Sequence, residues 1–325
     1  MFYQNLIIIK IWIFFMKSKI IAIQGDSLNK LNPKTDTTIF LAVEAQKKNY
    51  KIFYYEPTNL YIKANNVYAK GFFVKFNYLK NNYYKIIKKK NFKLDKAKII
   101  LIRQDPPFNL QYIVTTHILE KIKNTKIVNN PKAIRDISEK LYSTEFNNYM
   151  PKTLFSSNLE EINKFIKTNK KIVIKPINGF GGNNIYLIKN KINKIKLKKI
   201  IHKNGHVMCQ KFLPGIKNGD KRVFVINGKV RGAISRVPKK GSFLSNLSKG
   251  ATAKLTKINS SEMKISIKVA KNLKKNKIFF AGIDFISGKL NGDINITSPT
   301  GLKTYYDLTG INLAKIFWDE LKWII

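Results

Sequence analysis

The 325-residue chain has one cysteine and three histidines. A single thiol, Cys209, excludes an internal disulfide framework and any Cys-rich metal site, which fits a reducing compartment. Cys209 reads as a buried core residue. The histidines, His117, His202 and His206, are too few for most imidazole metal sites. His202 and His206 stand four apart, but Gly205 interrupts them, so both read as solvated loop residues, and catalysis is not expected to rest on imidazole. Long apolar runs are missing as well. The first fifteen residues, MFYQNLIIIKIWIFF, are broken by Lys10 and fall short of the about 20 residues a membrane span requires. No small-x-small cleavage site follows them. Residues 1–15 therefore read as an apolar extension, with a natural start expected at Met16, and the protein as cytoplasmic, without membrane contact. Acidic residues are scarce, 19 against 61 basic ones, for a formal net charge of +42.

What is abundant is lysine. Only Arg103, Arg135, Arg222, Arg231 and Arg236 are arginine; the other 56 basic residues are lysine, spread along the chain rather than gathered into an arm. With heavy use of Ile and Asn, this reads as a drift in residue usage in which lysine fills solvated positions. Such a charge attracts polyanions in a salt-sensitive way. No zinc-finger spacing, RNP-type aromatic motif or basic helical region accompanies it, so specific nucleic-acid binding is not expected. In a chain this poor in arginine, Arg103, Arg222 and Arg236 at strand ends are informative. A guanidinium fork holds carboxylate or phosphate at two points, which an ammonium cannot reproduce.

At 44% apolar residues the chain can bury a proper core, and its length suggests two domains at about 150 residues each. Apolar runs of strand length alternate with segments of helical period, the mark of an α/β protein. Strand Lys19 to Gln24, a helix opening near Thr35 and Asp36, and strand 52–56 make a β-α-β start. It lacks a dinucleotide fingerprint, since Gly25-Asp26-Ser27 has one glycine. Residues 66–95 read as a hairpin plus a solvated connection. Strand Lys98 to Arg103 runs into Gln104-Asp105-Pro106-Pro107, at the carboxyl end where open α/β sheets bind ligands. Helices 112–123 and 132–146 flank a short strand, 126–129. The first domain is placed at 16–139 and the second at 140–325. In the second, strands are expected at 152–155, 171–176, 185–188, 206–213, 221–226, 229–237, 278–286 and 290–297. Helices are expected at 158–168, 260–275 and from about 308. A polar Gly/Ser/Lys stretch, 238–254, is long enough to be a lid.

Three groups of residues carry chemistry. Lys175 on a strand, followed by Gly179, Gly181 and Gly182, offers a point charge and unobstructed backbone N–H groups to phosphate oxygens, or else forms a plain tight hairpin. No P-loop is present, so an ATP site must be of another design. Asp293 and Asn295, two apart on a strand, share a face, and Asp284 on a neighbouring strand can reach the same point. Three hard oxygen donors leave room for water and nucleotide phosphate, which is how magnesium is commonly held. Asp220-Lys221-Arg222, with Arg236 closing the next strand, is the third.

In this order these elements resemble the ATP-grasp carboxylate-amine ligases and, more closely, the bacterial glutathione synthetase family. The matching stretches include QGDSLNKLNPKTDTT, IRQDPPFN, IVIKPINGFGG, FLPGIKNGDKRVFVING, AISRVP, FAGIDFI and DINITSPTG. The resemblance implies an ATP-grasp fold behind an N-terminal Rossmann-like domain. It implies Lys140 and Lys175 on ATP phosphates under the turn of Gly179, Gly181 and Gly182. Gln210, Lys211, Phe212 and Leu213 would form the strand that reads adenine, and Asp220 would lie near the ribose. Asp284, Asp293 and Asn295 would hold Mg2+, with Mn2+ as an alternative. Arg103, Arg222, Arg236 and Ser298 would surround the substrate, with Arg222 and Arg236 catalytic. The implied reaction joins γ-glutamylcysteine to glycine with ATP, and the implied assembly is a homotetramer. The chain departs from the family at Asp293, where Glu is usual, at Asn178, where Asp is common, and in the lid. There Leu244 replaces an arginine and Gly250-Ala251 a Gly-Gly pair. Alternatives are an ATP-grasp ligase for a related peptide or amino acid, and a polyanion-binding protein without turnover.

Overall fold

The structure, a computed structural model, describes residues 19–79 and 81–322. The expected extension over 1–15 and start at Met16 lie outside the described residues.

The N-terminal half is built on a seven-stranded sheet of order β3-β4-β2-β1-β6-β7, with β5 paired to β4. Its strands are β1 (Ile20–Gln24), β2 (Lys51–Tyr55), β3 (Leu60–Lys63), β4 (Asn66–Phe76), β5 (Tyr84–Lys93), β6 (Ile99–Ile102) and β7 (Lys126–Val128). β1 runs parallel to both β2 and β6, and β6 to β7. That parallel centre is buried on both faces, which is why its strands read as unbroken apolar runs. Helix α1 (Thr37–Lys47) is capped by Asp36, whose Oδ1 accepts from Thr38 N at 2.6 Å and Ile39 N at 3.0 Å. Helix α2 (Leu110–Glu120) starts on an Asn109 cap, after the Pro-Pro turn.

The C-terminal half has two antiparallel sheets. The first has order β10-β9-β11-β8, made of β8 (Thr153–Ser156), β9 (Lys171–Pro176), β10 (Tyr186–Lys189) and β11 (Val207–Lys211). The second has order β14-β13-β12-β15-β16, made of β12 (Asp220–Ile226), β13 (Lys229–Val237), β14 (Thr252–Leu255), β15 (Phe280–Ile286) and β16 (Lys289–Asn295). Ile162, Ile166, Ile174, Leu197 and Cys209 form the core under the four-stranded sheet. One core is shared between the halves: Ile21, Ile23 and Phe40 pack in the same cluster as Phe224, Phe317 and Trp318. Trp318 Nε1 donates to Leu41 O at 2.9 Å, fastening the end of the chain to α1.

Four local expectations change. The helix expected over 132–146 is α3 (Pro131–Asp136) followed by a 3-10 run, Leu141–Tyr149. Ile137 turns extended, and Glu139 is drawn to β16: its carbonyl accepts from Ile294 N at 3.0 Å and its carboxylate from Ile296 N at 2.7 Å. The segment 66–95 forms the expected hairpin, but its strands β4 and β5 stay paired out to Lys93, where a solvated connection was expected. Helix α4 (Leu159–Asn169) was expected, whereas α5 (Lys194–Asn204) was not, and it places His202 in a helical last turn rather than a loop. After α6 (Ser260–Lys275), the terminal helix is two: α7 (Leu302–Thr309) stops at Gly310, whose φ of 72° ends a helix readily, and α8 (Leu313–Lys322) follows.

Candidate active site

The two C-terminal sheets and the carboxyl edge of the N-terminal sheet enclose a cleft of about 560 Å³. β9 delivers Lys175 to its floor. The ammonium donates to Asn291 O and Asn291 Oδ1, both at 3.0 Å, and to Asp293 Oδ2 at 3.2 Å. The break after α3 delivers Lys140, which donates to Gly179 O at 2.6 Å and stands 3.4 Å from Asp293 Oδ1. Burial alone would raise the Asp293 carboxyl, but Lys175 and Lys140 hold it below the ordinary carboxylate range. The Gly-rich turn lies over these lysines. Gly182 has φ 75°, and a Cβ there would meet Asn246 Oδ1 of the lid segment at 2.5 Å, so only glycine lets the two approach.

The opposite side is a chain of buried ion pairs. Arg222 Nε and Nη2 donate to the two oxygens of Asp284 at 2.8 and 2.7 Å, and its Nη1 donates to Thr300 at 3.3 Å. Arg236 Nε and Nη2 donate to Asp220 at 2.7 and 2.5 Å, and Nη2 also lies 3.0 Å from Asp284. Burial would raise the Asp284 carboxyl, and Arg222 and Arg236 outweigh it, keeping the group ionised. Asn295 Nδ2 donates to Asp284 Oδ2 at 3.1 Å, which leaves its own carbonyl oxygen as an acceptor.

Asp284, Asp293 and Asn295 line the cleft from adjacent strands β15 and β16; their oxygens are of the hard type magnesium takes, and the two carboxylates are here held by Arg222, Arg236, Lys140 and Lys175. Among the described residues no three His, Cys, Asp or Glu side chains gather into an all-protein metal cage. An ion here would take its remaining ligands from phosphate and water, as magnesium does in nucleotide sites.

Gln210, Lys211, Phe212 and Leu213 line the cleft where β11 ends, and the Lys171 ammonium sits 4.1 Å over the Phe212 ring. Asp220 lines the cleft too, but with both oxygens on Arg236. Arg103 is buried at the end of β6, with Nε on Thr38 at 3.2 Å and, among the described residues, no hydrogen-bond partner for its buried Nη1, while Ser298 Oγ donates to Arg103 O at 3.2 Å. Burial pushes the Cys209 thiol up to about 12, in keeping with a core residue.

The sequence reading missed Asn291, which the two-residue strand period would have found by stepping back from Asp293. It missed Glu139, and also Asn129, which accepts from Phe279 N and Phe280 N and donates to Phe280 O and Ile296 O, all within 2.7–2.9 Å. Nothing local marks Asn129, because its partners are some 150 residues away.

Comparison with known proteins decides the family. The prokaryotic glutathione synthetase N-terminal domain matches residues 20–135 and the prokaryotic glutathione synthetase ATP-grasp domain matches 139–310. The chain belongs to the prokaryotic glutathione synthetase family. It is 36% identical over 304 residues to the glutathione synthetase of Buchnera aphidicola subsp. Baizongia pistaciae, covering 91% of this chain and 94% of that protein. With the glutathione synthetase of Rhodopseudomonas palustris it shares 34% over 306 residues, 93% and 97% of the two chains. Among solved structures, the D-cycloserine synthetase DcsG is similar in fold at TM-score 0.66 and 10% identity, covering 93% of this chain and 98% of that one. The ATP-grasp ligase PsnB with its minimal precursor gives 0.62 at 13% identity, covering 94% and 99%. This member of the glutathione synthetase family is accordingly an ATP-dependent ligase with the ATP-grasp fold. No helix among the described residues is long and apolar enough to cross a membrane.

Proposed function

We propose that the chain joins γ-glutamylcysteine to glycine, with the ATP-grasp domain beginning at residue 140 behind a substrate domain over 16–139. The observation that carries this reading is the convergence of Lys140, Lys175 and Asp293 beneath the Gly-rich turn, facing the Arg222–Asp284–Arg236 pairs across one cleft. ATP would lie with adenine against Gln210, Lys211, Phe212 and Leu213 and its phosphates on Lys140, Lys175 and the backbone of Gly179, Gly181 and Gly182. Asp284, Asp293 and Asn295 would hold Mg2+ or Mn2+, which offsets charge on the transferred phosphoryl group.

The cysteinyl carboxylate attacks the terminal phosphorus of ATP, giving an acyl phosphate and ADP. The glycine amine then attacks the acyl carbon, and the tetrahedral intermediate expels phosphate. Arg222 and Arg236 stabilise the carboxylate and the oxyanion, donors already aimed and held by Asp284 and Asp220. Asp220 acts by fixing Arg236, next to the ribose end of the cleft. Ser298, which lines the cleft and bonds to the carbonyl of buried Arg103, positions the acyl donor, with Arg103 behind it. The lysines neutralise the phosphoryl oxygens, so catalysis is positioning and electrostatics, with no enzyme nucleophile.

A reading with a related acyl donor is favoured by one observation, the apolar Leu244 lining the cleft within the lid segment. We further propose a homotetramer working in the cytoplasm. Purified protein with γ-glutamylcysteine, glycine and Mg-ATP should form ADP and glutathione, identified by mass. Lys175→Ala should lower kcat by about 100-fold or more. ADP release without tripeptide would favour the related-donor reading, and a normal rate in Lys175→Ala would displace the phosphate site.

A further inference from the structure

Of the six cations lining the cleft, four are paired with acids, and two exposed lysines, Lys30 and Lys211, have no hydrogen-bond or ion-pair partner on the ammonium among the described residues. Lys140 and Lys175 face Asp293, and Arg222 and Arg236 face Asp284 and Asp220. Lys211 belongs to the strand end assigned to adenine. Lys30, on the wall contributed by the N-terminal domain, is exposed, lines the cleft, and its ammonium has no hydrogen-bond or ion-pair partner among the described residues.

The segment carrying Lys30 is held from below. Tyr54 OH donates to Asp26 O at 2.5 Å, Tyr83 OH donates to Leu28 O at 2.6 Å, and the Leu28 side chain is buried. Lys30 N closes the 3-10 turn on Ser27 O at 2.9 Å. A cation on a fixed backbone loses less freedom on binding an anion than one on a mobile loop.

Around it the charges are mixed. Asp26 and exposed Asp105 lie on the same side, joined where Asp105 N donates to Asp26 Oδ2 at 2.9 Å. Those acids disfavour a phosphate beside Lys30, and the phosphates have their own lysines across the cleft. A cation flanked by carboxylates suits a zwitterion, whose carboxylate meets the ammonium while its own ammonium meets an acid. The proposed acyl donor has that zwitterionic amino-acid group at the end remote from its reacting carboxylate. A peptide with its reacting end on Arg222 and Arg236 would have its remote end available to another wall of the same cleft, which Lys30 lines.

We propose that Lys30 is a specificity-determining residue that binds the free α-carboxylate at the γ-glutamyl end of the acyl donor. The inference rests on the functional reading above.

The test uses the full chain and its Lys30→Met and Lys30→Arg variants, with Mg-ATP and glycine. The acyl donors are γ-glutamylcysteine and 4-aminobutanoyl-cysteine, the same peptide without the α-carboxylate. Lys30→Met should raise KM for γ-glutamylcysteine about tenfold, equivalent to about 1.4 kcal/mol. Its kcat and its KM for ATP should stay within about twofold of wild type, the pattern of lost ground-state binding. Wild type should prefer the complete peptide, Lys30→Met should lose most of that preference, and Lys30→Arg should retain it. An unchanged KM, an undiminished preference in Lys30→Met, or an effect on the KM of ATP or glycine instead would overturn the assignment. Absence of tripeptide from the wild-type protein would overturn the parent reading and this one with it, and appears before any variant is measured.

Discussion

The β4–β5 hairpin and the floor of the cleft are both dense in charge, and they treat it in opposite ways. On β5, Lys85, Lys88, Lys89 and Lys90 are exposed, and Lys93 is the strand residue with a recorded acidic partner, Asp95 at 3.0 Å. In the cleft, Asp220, Arg222, Arg236 and Asp284 are each 7% exposed or less, and every one is paired within 3.0 Å. In water a lone ammonium is well solvated, so the hairpin lysines need no partner, and as an edge strand β5 gains protection from pairing with other chains. Once buried, an unpaired charge costs several kcal/mol, so these four buried charges occur as a matched set. Four of the five arginines pair with acids: Arg135 with Glu120 at 2.5 Å, Arg231 with Glu320, and Arg222 and Arg236 in two-point pairs.

The largest effect that would sharpen this contrast comes from Arg222. Arg222→Ala leaves Asp284 with one of its two arginines, and unfolding free energy in urea should fall by about 3–5 kcal/mol. Arg222→Lys keeps the charge but cannot donate from two fixed nitrogens, and should recover less than half of that loss. A lysine variant as stable as wild type would break the argument for arginine. An intermediate effect is expected at Asp293. Its carboxyl is held below the ordinary value, so the stability it contributes is present above a pH of about 4 and is lost as pH falls through the lowered value. The stability difference between wild type and Asp293→Asn should be about 1–3 kcal/mol at neutral pH and shrink steadily in acid. A difference that grows in acid would reverse the sign assigned here. The smallest effect belongs to the hairpin. Replacing Lys88, Lys89 and Lys90 together by Gln should change unfolding free energy by no more than about 0.5 kcal/mol and leave turnover alone. It should also lower the salt needed to elute the protein from an anionic resin. A large loss of stability would mean these lysines are not simply solvated.

Legibility in the chain followed the same division. The buried parallel strands were readable because both faces are apolar, and α1, α4 and α6 because their caps Asp36, Asn158 and Asn259 stand where the apolar period begins. β5 was harder, since exposed lysines on both faces erase the two-residue alternation that marks a strand. Lysine density likewise hid α5, whose core contacts are Leu197 and Ile200. The break after α3 was not readable, because its cause lies in β16, where Ile294, Ile296 and Thr297 bond to Glu139. That break matters for the site, since it carries Lys140 to Asp293. The family motifs marked the cleft residues, yet not that Asp220 is held by Arg236.

The chain alone determined the alternation of strands and helices, the Gly-rich turn after Lys175 and the oxygen donors spaced two apart, because these depend on local periodicity and on residue chemistry. Which charges neutralise which was decided by the folded molecule. Asp284 meets Arg222 and Arg236 only when β12, β13 and β15 lie side by side, and Lys140 meets Asp293 only when β16 pulls Glu139 out of a helix. Pairing of buried charge is a contact between residues distant in sequence, and no local pattern encodes the partner.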